Sequence, residues 1–442
     1  MTARRIKLGI VSQTPVIRFT KSIRADSIKL ADIDCSTYMY TVGGVTPMVM
    51  SQLKGLLNEK IISGAVWFSL NQNAPSRISI SKLLDAINIS LEAENSRDYA
   101  NFKQILWDNV HNISSRDFST KEYLGYFRYN SKLARTILQN YGNIDLFEIH
   151  DFQQLLLGAM LGPSFPTVFR WHIPFIPEIL NPKIRKFIIN GMEGNDAIIV
   201  STRRDLEGLI RSGFKGKAYQ IYPHLDPSIF KRPTRSELEE FVDKYRINKD
   251  DFVVLNVARM DSMKSQDDLI KAISGINDKR VKLMLVGNGS FTSNSLGLSK
   301  GGEWRAYLEG LVKNSGLEDR VIFTGYMPSE HLRSAYERAD LFVLPSRSEG
   351  FGLVAVEAWL YDTPTIISNG AGVSELVIKG LNGDTYESGD YKELSVHIKR
   401  FYRHSQLREE IGINAHGMAR SCFISTALPA LKSIYEKTLA DF

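Results

Sequence analysis

The chemistry of this chain is densest in one short run near its C-terminal end. It reads Ser346-Arg347-Ser348-Glu349-Gly350-Phe351-Gly352-Leu353-Val354-Ala355-Val356-Glu357, with two carboxylates eight positions apart across a glycine-rich segment. Just upstream, Leu341-Phe342-Val343-Leu344 reads as a buried strand, and Leu353, Val356 and Leu360 then recur at helical spacing. The glycines therefore fall where a helix begins. A helix start carries amides without intrahelical partners and a partial positive charge, so Phe351, Gly352 and Leu353 can offer backbone N–H groups to a phosphate. Glu349 and Glu357 accept hydrogen bonds from hydroxyls, which implies a ligand with sugars on both sides of a diphosphate. The plainer reading is of two solvated glutamates beside a helix start, one of them favoured by the helix dipole.

A second element supplies the opposite charge. Phe252-Val-Val-Leu-Asn-Val257 is an apolar strand, and the segment after it presents Arg259 and Lys264 before a helix whose buried stripe is Leu269, Ile270 and Ile273. Ser265 with Asp268 approximates a capping box for that helix. A loop at the carboxyl edge of a parallel strand is the usual ligand crevice of an open sheet. Both cations suit a diphosphate, and arginine can hold two oxygens at once. Alone, the two would be ordinary surface charges; with the downstream glutamates they form a constellation.

The elements that must position these groups alternate strand and helix twice over. Strands are expected at 6–11, 65–70, 145–149, 166–170 and 196–201, then at 252–257, 281–286, 321–324, 341–344 and 365–368. Helical stretches such as 47–57 and 123–139 lie between. That repetition implies two doubly wound α/β domains with parallel sheets. Two prolines in Tyr222-Pro-His-Leu-Asp-Pro227 place the join there, giving domains 1–222 and 223–408, with 409–442 a final helix returning to the first domain. Asn71–Asn95 and Gly287–Gly302 read as loops or flaps, and Tyr326 follows the strand 321–324 where backbone can read a nucleobase edge.

The Glu349–Glu357 pair, with Arg259 and Lys264, resembles the retaining glycosyltransferases of the GT-B fold. The resemblance implies two Rossmann-like domains facing each other across a cleft, with Glu349 on hydroxyls of the transferred sugar, Glu357 on the nucleotide's ribose and the cations on the departing diphosphate. In the first domain, Gly43-Gly44-Val45, Ile149-His150-Asp151-Phe152 and Trp171-His172-Ile173-Pro174-Phe175 are similar in order and spacing to trehalose-6-phosphate synthases. Carried over residue by residue, His172 would face the anomeric centre, Asp151 an acceptor hydroxyl, Tyr99 and Trp107 the acceptor's apolar face, and Gly43 and Gly44 the donor. His150 reads as structural, orienting a loop, and Trp67 as core. The route implied needs no carboxylate nucleophile: the sugar–phosphate bond breaks first, and the protein stabilises charge and aligns two sugars. The chain departs from the synthases at Thr14, where they carry an arginine for the acceptor's phosphate. Arg18, Lys21 or Arg24 can substitute. The expected reaction is glucose transfer from UDP-, GDP- or ADP-glucose to glucose 6-phosphate or glucose. The alternatives are another acceptor (glycerate, polyol, lipid or polysaccharide) and a nucleotide-sugar-binding regulator without turnover.

Composition agrees with a two-domain enzyme. At 442 residues and 43% apolar content the chain can build two cores. Only Cys35 and Cys422 occur, so no disulfide framework is indicated, which fits the cytoplasm. The +6 net charge is spread among 49 acidic and 55 basic residues, with no aromatic-basic nucleic-acid motif. No run is long enough to span a membrane. Asp32-Ile33-Asp34 reads as a solvated loop rather than a metal site, so no cofactor or metal is expected beyond the nucleotide sugar. The sequence is compatible with an oligomer.

Overall fold

The computed structural model describes residues 5–21, 23, 25–41, 45–72, 74–288 and 300–442. Arg24, Gly43, Gly44 and most of the expected flap at Gly287–Gly302 lie outside the described residues. The chain forms two compact units, residues 1–225 with 424–442 and residues 226–423. The helix Ser405–Ala419 stays with the second unit. The return to the first begins at Ile424 rather than at 409, and the final helix Ile424–Asp441 lies against the helix Val45–Asn58. Gly55 permits that approach, since a Cβ there would stand 3.1 Å from both Ile424 and Leu428.

In the first unit the strands are β1 (Ile6–Val11), β2 (Ile17–Phe19), β3 (Ser27–Lys29), β4 (Tyr38–Tyr40), β5 (Ile62–Leu70), β6 (Arg77–Ser81), β7 (Leu84–Ile89), β8 (Leu146–His150), β9 (Thr167–Arg170), β10 (Ala197–Val200) and β11 (Lys217–Gln220). Nine of them make one sheet in the order β11-β10-β9-β8-β1-β5-β7-β6-β3, while β2 and β4 form an antiparallel ribbon. The centre of the sheet is parallel, and β6 runs antiparallel to β7. The flap expected at Asn71–Asn95 is therefore corrected. It contains β6 and β7, which extend the sheet, and the start of the helix Ala93–Val110. β6 is largely uncovered and β7 is interrupted by Asp85 and Asn88, so a reading tuned to continuous apolar runs passes over them.

The second unit contains β12 (Phe252–Val257), β13 (Val281–Val286), β14 (Val321–Gly325), β15 (Leu341–Leu344), β16 (Thr365–Ser368) and β17 (Asp384–Tyr386), paired in parallel as β14-β13-β12-β15-β16-β17. In sequence order this is 3-2-1-4-5-6, the doubly wound arrangement whose direction reverses between the first and fourth strands. That switch point lies between β12 and β15. In the first sheet, β1 likewise sits between β5 and β8. The fold thus prepares a crevice at the carboxyl ends of β12 and β15 in one unit, and of β1 and β8 in the other.

Each unit has its own core. Val254, Leu283, Leu285, Leu341, Val343 and Ile366 are fully buried in the second. In the first, Phe102, Tyr126, Tyr129 and Trp171 are fully buried beneath the helices Ala93–Val110 and Thr120–Asn140. Each such side chain contributes roughly 1.5–3 kcal/mol on leaving water, which holds the strand ends, and hence the loops after them, in place.

Candidate functional site

At the switch point of the second unit, β12 ends and the chain turns at once. Met260 is buried and its amide donates to Asn288 O at 3.0 Å, which ties the turn to the segment after β13. Gly287 makes this approach possible, because it sits at φ +133° and a Cβ would fall 2.1 Å from Ala258 O. Arg259 is exposed, and its carbonyl accepts from Gln266 Nε2 at 2.8 Å. Asp261 caps a short turn by accepting from Met263 N at 2.9 Å, and that turn delivers Lys264. The expected capping box is corrected: Ser265 adopts φ +50° and its hydroxyl makes no cap, so the following helix starts from a left-handed residue instead.

The loop after β15 meets this turn directly. Arg347 N donates to Met263 O at 2.9 Å, and Lys264 Nζ is ion-paired with Glu349 Oε2. Ser346 Oγ donates to the same carboxylate oxygen at 3.3 Å. Burial works against the Glu349 charge, but the Lys264 ammonium, with Arg259 adding at longer range, holds its pKa below the ordinary carboxylate value. Glu349 N donates to Gly370 O, and Gly372 N returns a bond to Glu349 O, both at 3.1 Å, so the residue is fixed by its backbone as well. The helix Leu353–Trp359 starts at Gly352, whose φ of +104° and whose contact with Leu344, 2.5 Å from a would-be Cβ, exclude any other residue without strain. Phe351 is buried beside it and Leu353 is half-buried. Glu357 lies on the same helix, half-buried, and accepts from Tyr336 Oη at 2.8 Å. Burial raises its pKa, and the Tyr336 hydrogen bond offsets part of that. Tyr326 stands apart from this group, exposed at the end of β14, two strands from β12.

In the first unit, β8 ends at His150 and β9 at Arg170, and the two exits are joined by Asp151 N donating to Arg170 O at 2.8 Å. Asp151 is held at φ 69°, ψ 168°, a region essentially reserved for glycine. Its Oδ1 is buried without a hydrogen-bond partner. Burial raises its carboxyl to about 7, against the pull of hydrogen bonds from the Phe152 and His172 amides. Such strain persists only where the surroundings enforce it. Tyr126 does so here, since its hydroxyl donates to Phe152 O at 2.6 Å and accepts from Leu155 N at 2.9 Å. The His172 loop is pinned in turn by Phe175 N donating to Asp205 Oδ1 at 2.8 Å.

His172 Nε2 lies 3.0 Å from His150 Nδ1 with the rings nearly parallel. Behind them is a buried polar network that sequence reasoning missed. Glu148 Oε2 accepts from Gln52 Nε2 at 2.5 Å and from Tyr435 Oη at 2.6 Å, while Gln52 Oε1 accepts from Arg170 at 3.3 Å. Glu148, Gln52, Arg170 and Tyr435 are all fully buried. The signal was available, because Glu148 and Arg170 are charged residues inside strands that otherwise read as apolar. Tyr99, expected at the acceptor, is only 2% exposed, with its ring packed against Tyr126 and Tyr129 and its hydroxyl buried without a hydrogen-bond partner. Trp107 is partly buried over the same core, with its ring stacked on His111 at 3.8 Å. Trp67 is core, its indole donating to Thr14 O at 3.2 Å. The Asp34 carboxylate is engaged locally by Ser36. Among the described residues no group of three or more His, Cys, Asp or Glu is placed to hold a metal ion, and no helix is long and apolar enough to cross a membrane.

Residues 238–418 match the family of glycosyl transferases group 1. A mannosylfructose-phosphate synthase of Agrobacterium fabrum is 29% identical over 53% of this chain and 51% of its own length, so the chain spans about half of that relative. An N-acetyl-alpha-D-glucosaminyl L-malate synthase of Bacillus anthracis is 23% identical over 75% of this chain and 84% of its own. Among solved structures, one described as trehalose-6-phosphate from E. coli bound with UDP-2-fluoro glucose superposes with a TM-score of 0.77 at 16% identity, covering 97% of this chain and 98% of the other.

Proposed function

We propose that this chain, whose second unit carries a glycosyl transferases group 1 domain and whose two doubly wound units have the GT-B fold, is a retaining hexosyltransferase. It moves glucose from a nucleotide-glucose to glucose 6-phosphate or glucose. The observation that carries the reading is the Lys264–Glu349 ion pair at the switch point between β12 and β15, with Arg259 beside it and the Gly352 helix start beneath it. A paired cation, a second, exposed cation and helix-start amides suit a diphosphate whose charge grows as it leaves. Glu349 is kept ionised to accept hydroxyls of the transferred sugar, and Glu357 takes the ribose. In this reading Tyr326 serves the base, and the donor role expected of Gly43 and Gly44 falls on residues outside those the structure describes. His172 and Asp151 align the sugars, and no metal enters the reaction.

A second reading keeps the donor chemistry and changes the acceptor. It is favoured by Thr14, which stands where a phosphate-binding arginine was expected, and by relatives named for a fructose phosphate and for malate. The test is a matrix of UDP-, GDP- and ADP-glucose against glucose, glucose 6-phosphate, fructose 6-phosphate, glycerate and malate, read as nucleoside diphosphate release and anomeric configuration of the product. One active pair with an α-linked product supports a retaining transferase and names the acceptor. Tight donor binding with no release from any pair supports a regulator instead.

A further inference from the structure

We propose that Glu148 fixes the proton position on His172 through His150, so that His172 carries its hydrogen on Nε2 and presents a bare Nδ1 as acceptor for a substrate hydroxyl. The last step rests on the reading of His172 as a sugar-aligning residue; the proton placement does not.

Both imidazoles are neutral at ordinary pH. Burial pushes His150 down to about 4, with Glu148 opposing and Arg170 adding. His172 is lowered further by burial, then by His150, Arg170 and His224. Each ring therefore holds one hydrogen, and across the 3.0 Å contact between His150 Nδ1 and His172 Nε2 one nitrogen must donate and the other accept. Either His150 donates from Nδ1 and leaves its own Nε2 bare, or it keeps its hydrogen on Nε2 and accepts from His172.

Glu148 decides between them. Its Oε1 lies 3.8 Å from His150 Nε2 and takes no hydrogen bond of its own, whereas Oε2 is saturated by Gln52 and Tyr435. A lone pair on Nε2 facing a buried carboxylate would be repelled, while an N–H there is attracted. His150 thus holds its hydrogen on Nε2, its Nδ1 accepts, and His172 donates from Nε2. His172 is half-buried, and its Nδ1 makes no hydrogen bond among the described residues. The Arg170 guanidinium, reached through Gln52 and also donating to Ile221 O and Tyr222 O at 3.4 Å, supplies the compensating charge that lets a carboxylate sit here. Tyr435 comes from the returning helix, so the last segment of the chain completes the arrangement. Glu148 is in these terms a positioning residue, in the way that the outer partner of an imidazole fixes which nitrogen is protonated.

The full chain labelled with 15N-histidine separates the alternatives without substrate. Two-bond proton–nitrogen correlations distinguish protonated from bare ring nitrogens, and His172 is assigned among the eight histidines by its loss in His172→Gln. The expected pattern in the unaltered protein is protonated Nε2 and bare Nδ1; the reverse pattern overturns the proposal whether or not any variant folds. Glu148→Gln, whose amide can turn its NH2 towards His150, should move His172 towards the Nδ1–H form, and an unchanged spectrum overturns the role of Glu148. On an active donor–acceptor pair, Glu148→Gln should lower kcat about 10- to 100-fold with KM nearly constant; a change confined to KM overturns it. Should no pair turn over, the spectrum still decides the proton placement, so failure of the transferase reading and failure of this one remain separate.

Discussion

Asp151 bears two penalties, a buried carboxyl and a strained backbone, and removing them should make the protein more stable. Its carboxyl titrates near 7 in the fold against an ordinary 3.8. At about 1.4 kcal/mol per unit, ionising it in place costs roughly 4 kcal/mol. Because the folded value lies above the unfolded one, the folded chain keeps an extra proton between about pH 4 and pH 7. Stability therefore falls as pH rises through that window and is flat above it. Asp151→Asn, neutral throughout, should match the parent near pH 4 and exceed it at pH 8 by up to about 4 kcal/mol. Asp151→Gly should add a pH-independent gain of about 1–3 kcal/mol by relaxing the backbone at φ 69°, ψ 168°. The two units need not unfold together, so the assay is urea unfolding read by hydrogen exchange on β8, which reports the first unit alone. Both variants should lose transfer activity, and the parent's kcat/KM should fall below about pH 7. An Asp151→Asn protein less stable than the parent at pH 8, or a difference that ignores pH, refutes the reasoning.

Three further substitutions probe the second unit. Lys264→Ala leaves the Glu349 carboxylate without its cation, with an expected loss of about 1–3 kcal/mol at pH 7. That loss should shrink as pH falls through the carboxylate range, because Glu349 has a lowered pKa in the fold; urea midpoints at pH 7 and pH 4 check this, and kcat should drop about 100- to 1000-fold. Gly352→Ala forces a Cβ to 2.5 Å from Leu344 at φ +104° and should cost about 1–3 kcal/mol in a denaturant titration, a cost below about 0.5 kcal/mol counting against the strain argument. Tyr336→Phe removes a hydrogen bond to the half-buried Glu357 carboxylate. Since burial has already raised that carboxyl, the variant should be weakened more at pH 8 than at pH 5, by about 1–3 kcal/mol at the higher value, and an equal loss at both would sink the idea.

Much of the fold was legible in the chain because parallel strands buried on both faces read as unbroken apolar runs. The expected strands 6–11, 252–257, 281–286, 341–344 and 365–368 have the observed bounds. The strands at 77–81 and 84–89 were not legible, since one lies near the sheet edge and neither is continuously apolar. Ser265 spelled a capping box but adopts a left-handed conformation, because the turn is set by Asp261, Met260 and the approach of the segment after β13. Tyr99 matched an acceptor residue in order along the chain, yet its ring is packed among Tyr126 and Tyr129.

What the sequence determined alone is the alternation of elements and the residue types at strand exits: Arg259 and Lys264 after one strand, Glu349 and Gly352 after another, His150 and Asp151 after a third. Those follow from local rules, the apolar period of strand and helix and the special backbone needs of glycine. Tertiary structure decided the partnerships. Lys264 meets Glu349, 85 residues away, because β12 and β15 are neighbours at the switch point. Tyr435 meets Glu148 across 287 residues because the last helix returns to the first unit. Charge and hydrogen bonding act over a few ångströms, and which groups come that close is fixed by strand order and helix return, neither of which has a local signature.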